Sequence, residues 1–137
     1  MLGELLIVLG QLGMAIGVLF IKKLTADTNP ILVTALIFLV GGLAMIPIIF
    51  YFSKDLAVFT QQKYIWVIIA AIALPVIGEI LYISGLARTT MSTAGLLALT
   101  FPLFAVTLAV AFLGETINLK FIIASLLMLA GYVLLLI

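Results

Sequence analysis

The chain has 137 residues, of which 67% are hydrophobic and 8% charged, with a mean hydropathy of +1.54 and a formal net charge of +1. So few charged side chains cannot cover a water-facing globule of this size, so lipid is the outer solvent, and the near-neutral balance offers no basic stripe or acidic tail to nucleic acid. Without cysteine or histidine there is no disulfide framework, Cys/His zinc site, Ser-His or Cys-His catalytic pair or imidazole proton shuttle, so neither an enzyme nor a bound cofactor is expected.

Five apolar stretches follow one another, at approximately 4–21, 31–52, 64–87, 92–113 and 119–137. A hydrocarbon core of roughly 30 Å needs about 20 helical residues at about 1.5 Å rise, which each stretch supplies. Membrane β-strands would alternate apolar and polar residues, whereas these runs are apolar on every face, so the expected fold class is an all-α integral membrane protein of five transmembrane helices. The whole chain, 1–137, reads as one domain, because no connection is long enough to join two.

The first stretch has no basic residue ahead of its apolar run, and Lys22 and Lys23 follow it, so it is expected to stay as a helix and not to be cleaved as a signal peptide. It carries Gly10, Gly13 and Gly17 and, at mid-membrane, Gln11, whose carboxamide needs a partner. Lys22 is expected to snorkel to the interface. Asp27 and Pro30 mark the first turn, and Ser53 to Lys63 form the second connection.

The third stretch places Ala71, Gly78 and Gly85 seven apart, a spacing that returns to one helix face. It also holds Glu79, four residues after Pro75. A carboxyl inside a span is expensive and belongs against protein or a wet cavity. It is either the group that a proton-coupled carrier protonates and deprotonates, or a neutral acid bonded to a helix carbonyl freed by Pro75. Tyr82 lies one turn further on the same face, placed to hydrogen-bond Glu79 or to stack on a substrate. Arg88 to Ser92 is a tight break, with Ser92 the expected N-cap of the fourth helix.

In the fourth stretch Thr93, Thr100 and Thr107 recur at seven-residue spacing around Pro102. Their hydroxyls either line a cavity or bond back to carbonyls of their own helix. The fifth has Ala124 and Gly131, again seven apart. Such stripes serve either packing within the chain or a seam between two chains. Tyr51, Tyr64, Trp66 and Tyr132, near segment ends, are expected to be interfacial anchors.

Five crossings put Lys54, Lys63 and Lys120 on one side and Lys22, Lys23 and Arg88 on the other. Three against three gives the positive-inside rule no direction. Insertion in both orientations is therefore permitted, as is one orientation set by helix hydrophobicity.

From Ile80 onward the chain resembles the second part of an EamA domain of the drug/metabolite transporter superfamily. The residues that carry the likeness are Tyr82, Gly85-Leu86-Ala87, the Thr-Thr-x-Ser-Thr-Ala turn at 89–94, Pro102, Leu113-Gly114-Glu115 and Gly131. Residues 19–42 resemble the first helix pair of the same domain, so the likeness covers nearly the whole chain. Family members commonly hold two such repeats in opposite orientation, whereas this chain has one. The smaller relatives, the small multidrug resistance transporters, work as antiparallel homodimers through a seven-spaced glycine pair in their last helix, which Ala124 and Gly131 match with one substitution. Those relatives place a coupling glutamate eight residues before a lysine; measured back from Lys22, this chain has Met14 there. The resemblance thus implies a transporter whose coupling group differs, with Glu79 the candidate.

The resulting expectation is a multi-pass protein of the cell (inner/cytoplasmic) membrane that pairs with an inverted copy of itself. It would carry a small metabolite or amphipathic organic compound, most naturally outward, by alternating access around a midplane site. Glu79, Tyr82, Thr93, Thr100, Thr107 and Gln11 are its candidate cavity residues, and Ala124 and Gly131 its dimer contacts. The other class left open is a non-transporting membrane subunit or lipid-handling partner in a hetero-oligomer.

Overall fold

The computed structural model describes residues 2–136, and within them every side chain except those of Glu4, Tyr132, Leu135 and Leu136. The anchoring position expected of Tyr132 therefore lies outside the described residues. Among those residues the chain is helical apart from short connections, with no strand, and its long helices are apolar enough to cross a membrane. This is the all-α membrane fold that the composition requires.

Helix α1 runs Leu2–Leu24, carrying Lys22 and Lys23 in its last turn, where cations meet the negative end of the helix dipole. After a short turn, α2 runs Pro30–Tyr51. Its start is built from local chemistry: the Asn29 side chain accepts the Ile31 N–H at 2.9 Å, and Pro30 occupies the first turn, where its missing N–H leaves nothing unpaired. A 3-10 turn, Ser53–Val58, leads to the next span.

The third span, Gln61–Arg88, is one apolar rod of 28 residues but not one regular helix. It consists of α3 (Gln61–Ala71), a π-helical segment (Ile72–Gly78) and α4 (Glu79–Arg88). Pro75 cannot donate to the ladder and its ring crowds the preceding turn, so the backbone opens into wider i→i+5 turns around it. This rotates Ala71 away from the face shared by Gly78 and Gly85, which breaks the expected seven-residue stripe. Gly78 closes the segment tightly, since a Cβ there would sit 3.2 Å from the Ala73 carbonyl oxygen, whereas one at Gly85 meets nothing within 4 Å.

Two substitutions read this difference. Gly85→Ala is expected to stabilise the purified protein by up to about 1 kcal/mol, the ordinary helix-propensity gain. Gly78→Ala should melt measurably below Gly85→Ala in detergent, because its methyl pushes on backbone and not on a movable side chain. Equal melting of the two would show that the π segment yields freely.

The described residues form two compact units, 2–89 and 90–136. In the first, α4 packs against both α2 and α1. Its buried side chains are Val33 and Thr34 in α2, Ile83 and Leu86 in α4, and Thr25 in the turn between α1 and α2. Lipid tails are as apolar as these side chains, so close van der Waals packing and satisfied polar groups must hold the cluster. The Thr34 hydroxyl donates to the Pro30 carbonyl at 2.8 Å and that of Thr25 to the Lys22 carbonyl at 3.3 Å. By contrast α3 is exposed along its length, as are the described side chains of residues 2–17 in α1. The unit is thus stitched where α1 ends, α2 begins and α4 ends.

The second unit contains α5 (Met91–Leu97), a 3-10 turn (Ala98–Thr100), α6 (Phe101–Leu113) and α7 (Leu119–Leu136). The N-cap of α5 is Thr90 and not Ser92: the helix starts at Met91, Thr90 is extended, and its hydroxyl oxygen accepts the Thr93 N–H at 3.1 Å. Gly114, with φ +68°, ends α6 in a left-handed conformation that glycine adopts at no steric cost. The Asn118 side chain then accepts the Phe121 N–H at 2.8 Å, capping the start of α7.

Candidate functional site

Of the five acidic residues, Glu4, Asp27, Asp55, Glu79 and Glu115, only Glu79 stands well inside an apolar run. It is the first residue of α4, where the π segment returns to regular helix. Both Glu79 and Tyr82 are half-buried and lie one turn apart on α4, hence on one face. A carboxyl and a phenol so placed can exchange a proton, accept hydrogen bonds from a ligand, and offer a charge and an aromatic face to an organic cation. The π segment beside them interrupts the regular helix of this span, its wider turns re-satisfying the backbone around Pro75.

The other cavity candidates divide between the two units. Gln11 is exposed on α1, as are the described side chains around it; a carboxamide inside a span needs a hydrogen-bond partner. In the second unit the Thr100 hydroxyl donates to the Leu97 carbonyl and the Thr107 hydroxyl to the Leu103 carbonyl, both at 2.8 Å. Thr93 shares a 2.8 Å hydrogen bond with the Thr90 hydroxyl. Back-bonding uses the single hydroxyl proton of each but leaves the oxygen free to accept. The three do not form one straight stripe: the 3-10 turn at Ala98–Thr100 overwinds the chain by about 60° between Thr93 and Thr100, while regular α6 joins Thr100 to Thr107. Ala124 and Gly131, joined by regular α7, share a face and are exposed.

Lys22 departs from the expectation of snorkelling. Its ammonium reaches across from the last turn of α1 to the end of α4 and donates to the Leu86 carbonyl at 2.7 Å, the Thr89 carbonyl at 2.6 Å and the Ala87 carbonyl at 3.4 Å. Helix ends leave such carbonyls without intrahelical partners, and the dipole makes them the negative pole. Nothing in the local pattern around Lys22 announces these acceptors, which lie 64 to 67 residues away. The available signal was only that a lysine closes one span and a free carbonyl terminus closes another on the same membrane face. Arg88 does not compete for this role, since its guanidinium donates to the Ser84 carbonyl at 2.7 Å. Among the described residues, no group of His, Cys, Asp or Glu is placed to hold a metal ion.

The model of the EamA-like transporter family matches residues 1–137. Comparison with curated proteins and with solved structures gave no match.

Proposed function

The chain belongs to the EamA-like transporter family, whose members are membrane transporters of the drug/metabolite transporter superfamily and not enzymes, and from that premise we propose that it is a secondary active exporter of a small metabolite or amphipathic organic compound. Transport proceeds by alternating access in an antiparallel homodimer of the cell (inner/cytoplasmic) membrane, coupled to protons through Glu79. The observation that supports this reading above the others is the position of Glu79: the one acid well inside a span stands at the junction of an irregular helical segment and the packed helix α4. Broken helices near the midplane are where secondary transporters bind substrate and coupling ion, and inverted repeats supply the two alternative gates around such a site. In the proposed pair a second, inverted copy supplies the opposite half.

Gln11 is the remaining candidate of the same unit. Proteoliposome uptake of amino acids, quaternary amines and nucleobases, each with and without a pH gradient, tests the proposal. Uptake of one class is expected to rise severalfold when the gradient is imposed. Monodisperse protein that moves none of them under either condition would favour the reading as a non-transporting subunit.

A further inference from the structure

We propose that Lys22 is a latch that holds α1 against α4 and so closes the mouth between them on the membrane face carrying Lys22, Lys23 and Arg88. The inference rests on the alternating-access reading but on different residues from those of the midplane site.

A lysine ammonium has three protons to donate and no acceptor capacity. Here it meets three carbonyls, those of Leu86, Ala87 and Thr89, two of them at 2.7 Å or less. These are the final turn of α4 and the residue just beyond it, so one side chain of α1 covers the negative pole of α4. The latch sits at the stitched end of the unit, next to the buried Thr25 and Leu86, whereas the described side chains of α1 from 2 to 17 are exposed. Fixing that one end decides whether α1 and α4 stay together on this face.

The chemistry suits a reversible contact. Hydrogen bonds between a cation and neutral carbonyls are exchanged for water at a modest net cost, unlike a pair of buried opposite charges, which resists separation. Water entering the open mouth would solvate both the freed ammonium and the freed carbonyls. In an inverted pair each copy carries its latch on the opposite membrane face. One latch closed and the other open then describes either of the two access states.

The chain has no cysteine, so single-cysteine reporters are clean. Ser84→Cys, half-buried one turn before the end of α4, reports on the mouth, and Ser53→Cys, exposed in the Ser53–Val58 turn, reports on the other face. The labelling rate of each with a water-soluble maleimide is measured in purified protein without substrate, so the result stands whether or not uptake is found. Lys22→Met is expected to raise labelling at Ser84→Cys about tenfold, the population shift from losing a charged hydrogen bond, and to leave Ser53→Cys unchanged. Lys22→Arg should restore the slow rate. If Lys22→Met is not monodisperse, Lys22→Gln, which keeps a donor without the charge, is read in the same way. An unaltered rate at Ser84→Cys overturns the latch. So does an equal rise at both reporters, which would make Lys22 a fold-holding cap and not a gate.

Discussion

Glu79→Gln is expected to abolish the response of transport to a pH gradient in proteoliposomes while leaving the protein folded. Glutamine has nearly the same shape and keeps hydrogen-bonding capacity but cannot take up or release a proton. If Glu79 couples proton and substrate, the loss is the gradient-driven accumulation itself, up to about tenfold per pH unit for each proton exchanged, since one pH unit is about 1.4 kcal/mol. Glu79→Asp should be milder, because it keeps the charge and shortens the reach by one methylene. Glu115→Gln, at the turn after α6 and outside any span, should change little. Transport and pH dependence both unchanged in Glu79→Gln would make the carboxyl a structural element of the π junction. In that case its partner would have to be sought among the carbonyls loosened by Pro75.

Forcing one orientation on the chain is expected to remove transport, and mixing two oppositely forced populations to restore it. Adding lysines to the Ser53–Lys63 connection and the turn before α7 biases one orientation; adding them to the turn between α1 and α2 biases the other. The starting tie of three against three makes a few added charges sufficient. Under the proposed pairing it is an oppositely inserted copy that supplies the inverted half alternating access needs. Full transport from one forced orientation alone would defeat the dual-topology proposal.

The seam is tested in the same preparations. Nothing lies within 4 Å of a Cβ built at Gly131 or at Gly95 among the described residues, so both positions start from an open Cβ site. Dissociation of the dimer by Gly131→Leu but not by Gly95→Leu would locate the contact on α7. The physical reason is steric: close helix approach in lipid depends on small residues, and a leucine forces the backbones apart.

What the sequence by itself determined was whatever depends on neighbours along the chain and on the solvent. The thickness of the bilayer and the need to satisfy every backbone group within it made the apolar runs helical, whatever they pack against. Short-range chemistry was equally legible in the turn signal of Pro30, because helix starts are set within a few residues. The family likeness rested on the same kind of local pattern. Even so, the cap at Thr90 shifted by two residues from Ser92, since several hydroxyls in that turn qualify and only the backbone path chooses among them. Helical phase was also beyond the spacing rule, which assumes regular α-helix. The π segment around Pro75 turned Ala71 off the face of Gly78 and Gly85, and the 3-10 turn before Phe101 did the same between Thr93 and Thr100. Only the tertiary structure decided the role of Lys22. Its acceptors belong to a helix end more than sixty residues away, and a lysine at the end of a span reads the same in sequence whether its ammonium ends in water or, once α1 packs on α4, on the terminal carbonyls of a neighbouring helix.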